Sequence, residues 1–165
     1  MNGSARLFAG TTTSSVPQGR AVHAPPTGGQ TPLDGDIMLA RTSWVNVLVV
    51  GPEQAVSNAL ALIVDDIEHA VVLDCGSDRL RLPASSRRVD TLIIRNVDTL
   101  THDEQQDLGE WMEATQDQSR VVCTTAAPLF AMVEARAFSD ALYYRLNSVY
   151  VDLMSRAAGS PTDHA

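Results

Sequence analysis

The run Val45-Asn-Val-Leu-Val-Val50, followed by Gly51-Pro52, decides the fold class. It is short, apolar and rich in β-branched residues, and it predicts a strand buried on both faces, as in a parallel sheet. Gly51-Pro52 predicts a turn. From Glu53 to about His69, Val56, Leu60, Ile63 and Ile67 recur at helical spacing, with acidic Glu53 placed to favour the helix dipole. Further strands are expected at Ala70–Asp74, Thr91–Ile94, Val121–Thr125 and Val149–Leu153. Thr101-His-Asp-Glu104 has the capping-box pattern and opens a helix to about Thr115. Pro128–Arg136 and Ser139–Leu146 also read as helices. Strands and helices alternating at these lengths predict an α/β domain in three layers, with about five parallel strands covered on both faces.

The 165 residues suit one domain with tails. Residues 1–36 are rich in Gly, Ser, Thr and Pro and cannot bury enough apolar area to offset their ordering entropy. They are expected to form a disordered tail, as are 157–165, leaving 37–156 as the folded domain. The formal net charge is −8. That balance argues against broad binding to nucleic acid or an anionic membrane, because such binders need a basic face. Arg79, Arg81, Arg87 and Arg88 form a local basic group, read as solvated loop arginines. No apolar run reaches spanning length and no signal peptide is evident, so the expected location is cytoplasmic. Cys75 and Cys123 lie in or beside strand-like runs and read as reduced structural thiols. A nucleophile–base pair with His69 or His102 is the lesser reading, and Asp65-Asp66 reads as a solvated pair. No spacing implies a metal site.

Arg136-Ala-Phe-Ser-Asp-Ala-Leu-Tyr-Tyr-Arg-Leu-Asn147 resembles the "G-R-F-R-x-D-L-Y-Y-R-L-N" segment of the AAA+ ATPase domain in bacterial sigma-54-dependent transcription activators. Other blocks line up with that domain in the same order. Gly51-Pro-Glu-Gln-Ala-Val-Ser-Asn58 falls where the phosphate loop G-x-x-x-x-G-K-[ST] belongs. Ala70-Val-Val-Leu-Asp-Cys-Gly-Ser77 resembles "F-V-x-V-N-C-A-A-L". Thr91-Leu-Ile-Ile-Arg-Asn-Val-Asp-Thr-Leu100 resembles the Walker B strand "T-L-F-L-D-E-I-G-D-L", and Arg120–Leu129 resembles "R-I-I-A-A-T-N-R-D-L". The resemblance covers about Val45 to Leu153 and implies a P-loop, AAA+-like core. In that family the chain continues into a helical lid and a DNA-binding helix-turn-helix.

The same comparison implies a degenerate site. Gly51 matches the first glycine, but Val56 stands for the second, Ser57 for the lysine and Asn58 for the metal-holding hydroxyl. Gly51, Ser57 and Asn58 are what remains for holding a cofactor. Arg95 and Asn96 replace the two Walker B carboxylates, and Ala126 the sensor asparagine. Only Gly76–Asp90 separate the second and third strands, too few for the family's sigma-contacting loop. Ser139 replaces the first arginine of the closing motif, while Arg145 matches the second and reads first as a structural arginine. Phe138, Tyr144 and Arg145 are the interface candidates. The expectation is a module that is no enzyme, holds neither cofactor nor metal, and works through a protein partner, an AAA+ or transcription component. The alternative is a switch that uses the remnant cleft to bind ATP or another small ligand without hydrolysis.

Overall fold

The computed structural model describes residues 32–115 and 118–154. Five parallel strands, β1 (Val47–Val50), β2 (Val71–Asp74), β3 (Thr91–Arg95), β4 (Arg120–Thr125) and β5 (Val149–Asp152), lie in the order β2-β3-β4-β1-β5. Helices α1 (Pro32–Thr42), α2 (Glu53–Ile63), α3 (His102–Ala114), α4 (Phe130–Glu134) and α5 (Asp140–Leu146) cover them. Central β1 shows why the strand pattern is continuous rather than alternating. Val47 and Val49 enter the core under α1 and α2, while Leu48 and Val50 enter the core shared with α3 and α5. All four are fully buried. The three-layer α/β architecture with five parallel strands is therefore present, and each strand begins and ends within two residues of its expected bounds.

Two segments differ from expectation. The folded part starts earlier than Ile37, because Pro32–Asp36 form the first turns of α1. Proline at a first helical position sacrifices no hydrogen bond. Asp34 in the first turn and Arg41 in the last suit the dipole, and Leu33, Ile37 and Ala40 dock on the α2 side. The rest of the expected N-terminal tail and the whole C-terminal one lie outside the described residues. The helix expected over Glu53–His69 ends at Ile63: Val64 is extended, and Ile67–His69 form only a short 3-10 turn. Asp65 and Asp66 would place two carboxylates at the negative end of a longer helix, which opposes its continuation.

Four polar side chains fix how the layers join. The Thr101–Glu104 capping box starts α3, with Glu104 N–H donating to Thr101 Oγ1 at 3.4 Å and Thr101 N–H to Glu104 Oε2 at 2.9 Å. Asn46 Nδ2 donates to the Arg145 carbonyl (3.0 Å) while its Oδ1 accepts from Val121 N–H (3.0 Å), which ties the end of α5 to β4. Arg120, buried at the start of β4, donates from Nε to the Val45 carbonyl (3.1 Å) and from Nη2 to the Ala40 carbonyl. It thus places a cation against the C-terminal end of α1.

Arg120→Leu removes both donors and leaves two carbonyls without them. We expect a loss of about 1–3 kcal/mol. In hydrogen exchange, the amides of residues 36–42 should lose protection before those of β1 and β4; simultaneous loss would mean that Arg120 does not specifically hold α1.

Candidate functional site

The carboxyl ends of the strands are where an open parallel sheet builds a site. Here β1 delivers the chain into a turn of only Gly51 and Pro52 before α2 begins at Glu53. The helix therefore starts three residues before Val56. Val56 is 3% exposed and belongs to the core under α2. Ser57 and Asn58 stand on the helix, not in a loop. Ser57 Oγ accepts from Arg95 Nη2 at 3.3 Å, and exposed Asn58 Oδ1 accepts from Gln54 Nε2 at 3.2 Å. Of the three cofactor-binding candidates, only Ser57 reaches a side chain from another element.

Gly51 has a packing reason of its own. A Cβ added there would lie 2.6 Å from Leu153 Cβ, because the chain leaving β5 crosses directly over it. Leu153 N–H donates to the Val50 carbonyl (2.7 Å) and Gly51 N–H to the Thr125 carbonyl (3.0 Å). This glycine is required by close backbone approach.

Arg95 ends β3 with its guanidinium 3.3 Å from Ser57 Oγ and 3.6 Å from Glu53 Oε1. The Glu53 carboxylate is largely exposed, so that ion pair contributes little. Asn96 takes the left-handed conformation (φ 55°, ψ 48°), which asparagine tolerates better than most residues. Its Nδ2 donates to Asp74 Oδ1 at 2.8 Å, and the same oxygen accepts from Gly76 N–H at 2.9 Å. Arg95 offers donors only, and the Asn96 amide has no carboxylate to hold a cation or accept a proton. Asp98 lies in the 3-10 turn Val97–Thr99, with one carboxylate oxygen buried and unpartnered. Ala126 is exposed just past β4.

The interface candidates separate. Phe138 is 3% exposed in the core beneath α3 and α5, so it faces the chain's own interior and not a partner. Its aromatic ring supplies core volume at the entry to α5. Tyr144 is 67% exposed. Arg145 donates to the Gly109 carbonyl (3.0 Å) and to Glu113 Oε1 (2.9 Å), and so links α5 to α3. Ser139, in place of the family's first arginine, is the N-cap of α5 and accepts from Leu142 N–H.

Sequence reasoning missed Gln105. It is buried, donates from Nε2 to the carbonyls of Leu100 and Ala137, and accepts from Ser139 N–H at Oε1. It positions the start of α5. Its signal was a glutamine three residues before Leu108 on the buried face of α3. Cys75 and Cys123 are free thiols. Burial, with Glu104 and Asp74 nearby, pushes the Cys75 thiol up to about 11, and burial raises that of Cys123 as well. Neither is an activated nucleophile. His69 is exposed and pairs with Asp66 (2.7 Å), which raises the imidazole through its hydrogen bond and charge. Among the described residues no helix is long and apolar enough to cross a membrane.

Residues 31–155 match the family described as the Sigma-54 interaction domain. The chain belongs to that family. Solved structures with a similar fold include NtrX from Brucella abortus in complex with ATP, 16% identical with a TM-score of 0.56, over 79% of this chain and 39% of that one. NtrX in complex with ADP gives 16% and 0.56 over 76% and 37%. A third NtrX structure gives 15% and 0.53 over 77% and 37%. This chain thus spans under two-fifths of NtrX, and at these identities the likeness carries the fold alone. No curated protein matches the chain.

Two outcomes test the geometry. Gly51→Ala should destabilise by about 1–3 kcal/mol in chemical denaturation, as overpacking does; an unchanged midpoint would mean that the Leu153 crossing yields freely. Thiolate forms only as pH approaches the raised thiol value, so alkylation of Cys75 should still be accelerating between about pH 9 and about pH 11. A plateau near the ordinary cysteine range would show an unperturbed thiol.

Proposed function

We propose that this chain is a catalytically inactive AAA+-like module that acts through protein–protein contacts in bacterial transcriptional regulation. The observation that carries the proposal is the two-residue turn between β1 and α2, with Arg95 held at the helix it would otherwise face across a nucleotide. Catalysis of phosphoryl transfer rests on positioning and charge stabilisation by a phosphate loop, a lysine, a metal and carboxylates. The positions matching those groups hold Val56, Ser57, Asn58, Arg95 and Asn96. Membership of the sigma-54 interaction domain family supports the regulatory setting, and the exposed Tyr144 on α5 supports a contact role.

A fluorescent-ATP titration with and without Mg²⁺ tests this directly. A flat titration up to about 1 mM, where binding free energy falls to roughly −4 kcal/mol, is the expected result. Phosphate release should equal that of a protein-free blank. Saturable binding that unlabelled ATP competes away at micromolar concentration would overturn the proposal and install a nucleotide switch in its place.

A further inference from the structure

The surface between α3 and α5 holds a groove of about 310 Å³. Its floor includes Gly109, Ala141 and Leu142, and Gln106, Glu110 and Glu113 stand along its α3 wall. Gly109 is the informative residue. Glycine inside a helix costs about 1 kcal/mol relative to alanine. Nothing in the fold requires that cost here, because a Cβ at position 109 would meet no atom within 4 Å. A side chain at position 109 would project into open space, and its absence leaves the groove clear beside the Gly109 carbonyl that Arg145 bonds.

The charge around this space has one dominant sign. The exposed residues of α3 include Asp103, Asp107, Glu110 and Glu113, and α3 carries no Lys or Arg. The groove's own arginine, Arg145, is already engaged by Glu113 at 2.9 Å. Glu110 Oε1 accepts from Gln106 Nε2 at 2.9 Å, and its second carboxylate oxygen faces a guest. On α5, exposed Tyr144 follows Ala141 by three residues and so stands beside it on the helix surface. An apolar floor, a carboxylate rim and a neighbouring aromatic ring match one chemistry: an aliphatic stem ending in a cation.

We propose that the α3–α5 groove is a docking site for an arginine-bearing segment of a protein partner. The guanidinium sits against Glu110 and its methylene stem crosses Gly109 and Leu142. This rests on the reading of the chain as a contact module and names the chemistry of the contact.

The test is an amide-shift titration of the full chain with a hexa-arginine peptide at about 0.15 M salt, where unfocused surface attraction is screened beyond about 8 Å. Shifts should concentrate at Gly109, Glu110, Ala141 and Arg145. Gly109→Leu fills the groove without altering charge and should weaken binding at least about tenfold. Glu110→Gln should weaken it similarly. Asp103→Asn with Asp107→Asn, which lowers the charge of α3 outside the groove, should leave it within about twofold. The proposal is overturned by shifts spread over all acidic residues with Gly109→Leu unchanged, which is diffuse attraction only, and equally by no binding. Either failure leaves the inactive-module reading standing, since that reading falls only to nucleotide binding.

Discussion

The burial of β1 on both sides is the constraint from which the rest of the structure follows. Its four residues feed two separate cores in alternation, and its backbone pairs with β4 on one side and β5 on the other. A strand so enclosed leaves little room at its carboxyl end. The chain departing β5 crosses Gly51 closely enough that Leu153 would strike any side chain there. Gly51 thus owes its identity to close backbone approach, a requirement that needs no phosphate. The glycine that invites a nucleotide-binding reading has an independent structural cause.

Pattern in the sequence specifies the elements well where burial and capping dominate. β1 is legible because continuous β-branched residues suit only a doubly covered strand, and α3 because its capping box closes as the spacing requires. The first helix is not legible from apolar periodicity. Its buried face amounts to Leu33, Ile37 and Ala40, while Met38 and Leu39 are exposed and blur the pattern. What holds it is remote: the Arg120 guanidinium, 80 residues from Ala40, reaches its last turn. Long-range anchoring of this kind leaves no local trace. The same applies to Phe138, whose place in a quoted motif suggested an outward role but whose ring fills the core under α5.

The site was legible in identity but not in geometry. The residue types at 56–58 and 95–96 are visible in the sequence, whereas the early start of α2 is not. Helix initiation at Glu53 is favoured by an acidic first turn, with no glycine at position 56 to hold a loop open. Once α2 begins there, Val56 enters the core and Ser57 turns toward Arg95.

The side chains at these positions bond within the chain. Arg95 donates to Ser57, and Asn96 adopts a left-handed backbone that lets its amide bond Asp74. Asp74 in turn accepts from Gly76, tying the ends of β2 and β3 together. A ligand that used these donors and acceptors would have to replace bonds already made. A single substitution here would break part of this network. An aspartate at position 95 would lose the bond to Ser57 and face Glu53, a repulsion with no metal loop to relieve it.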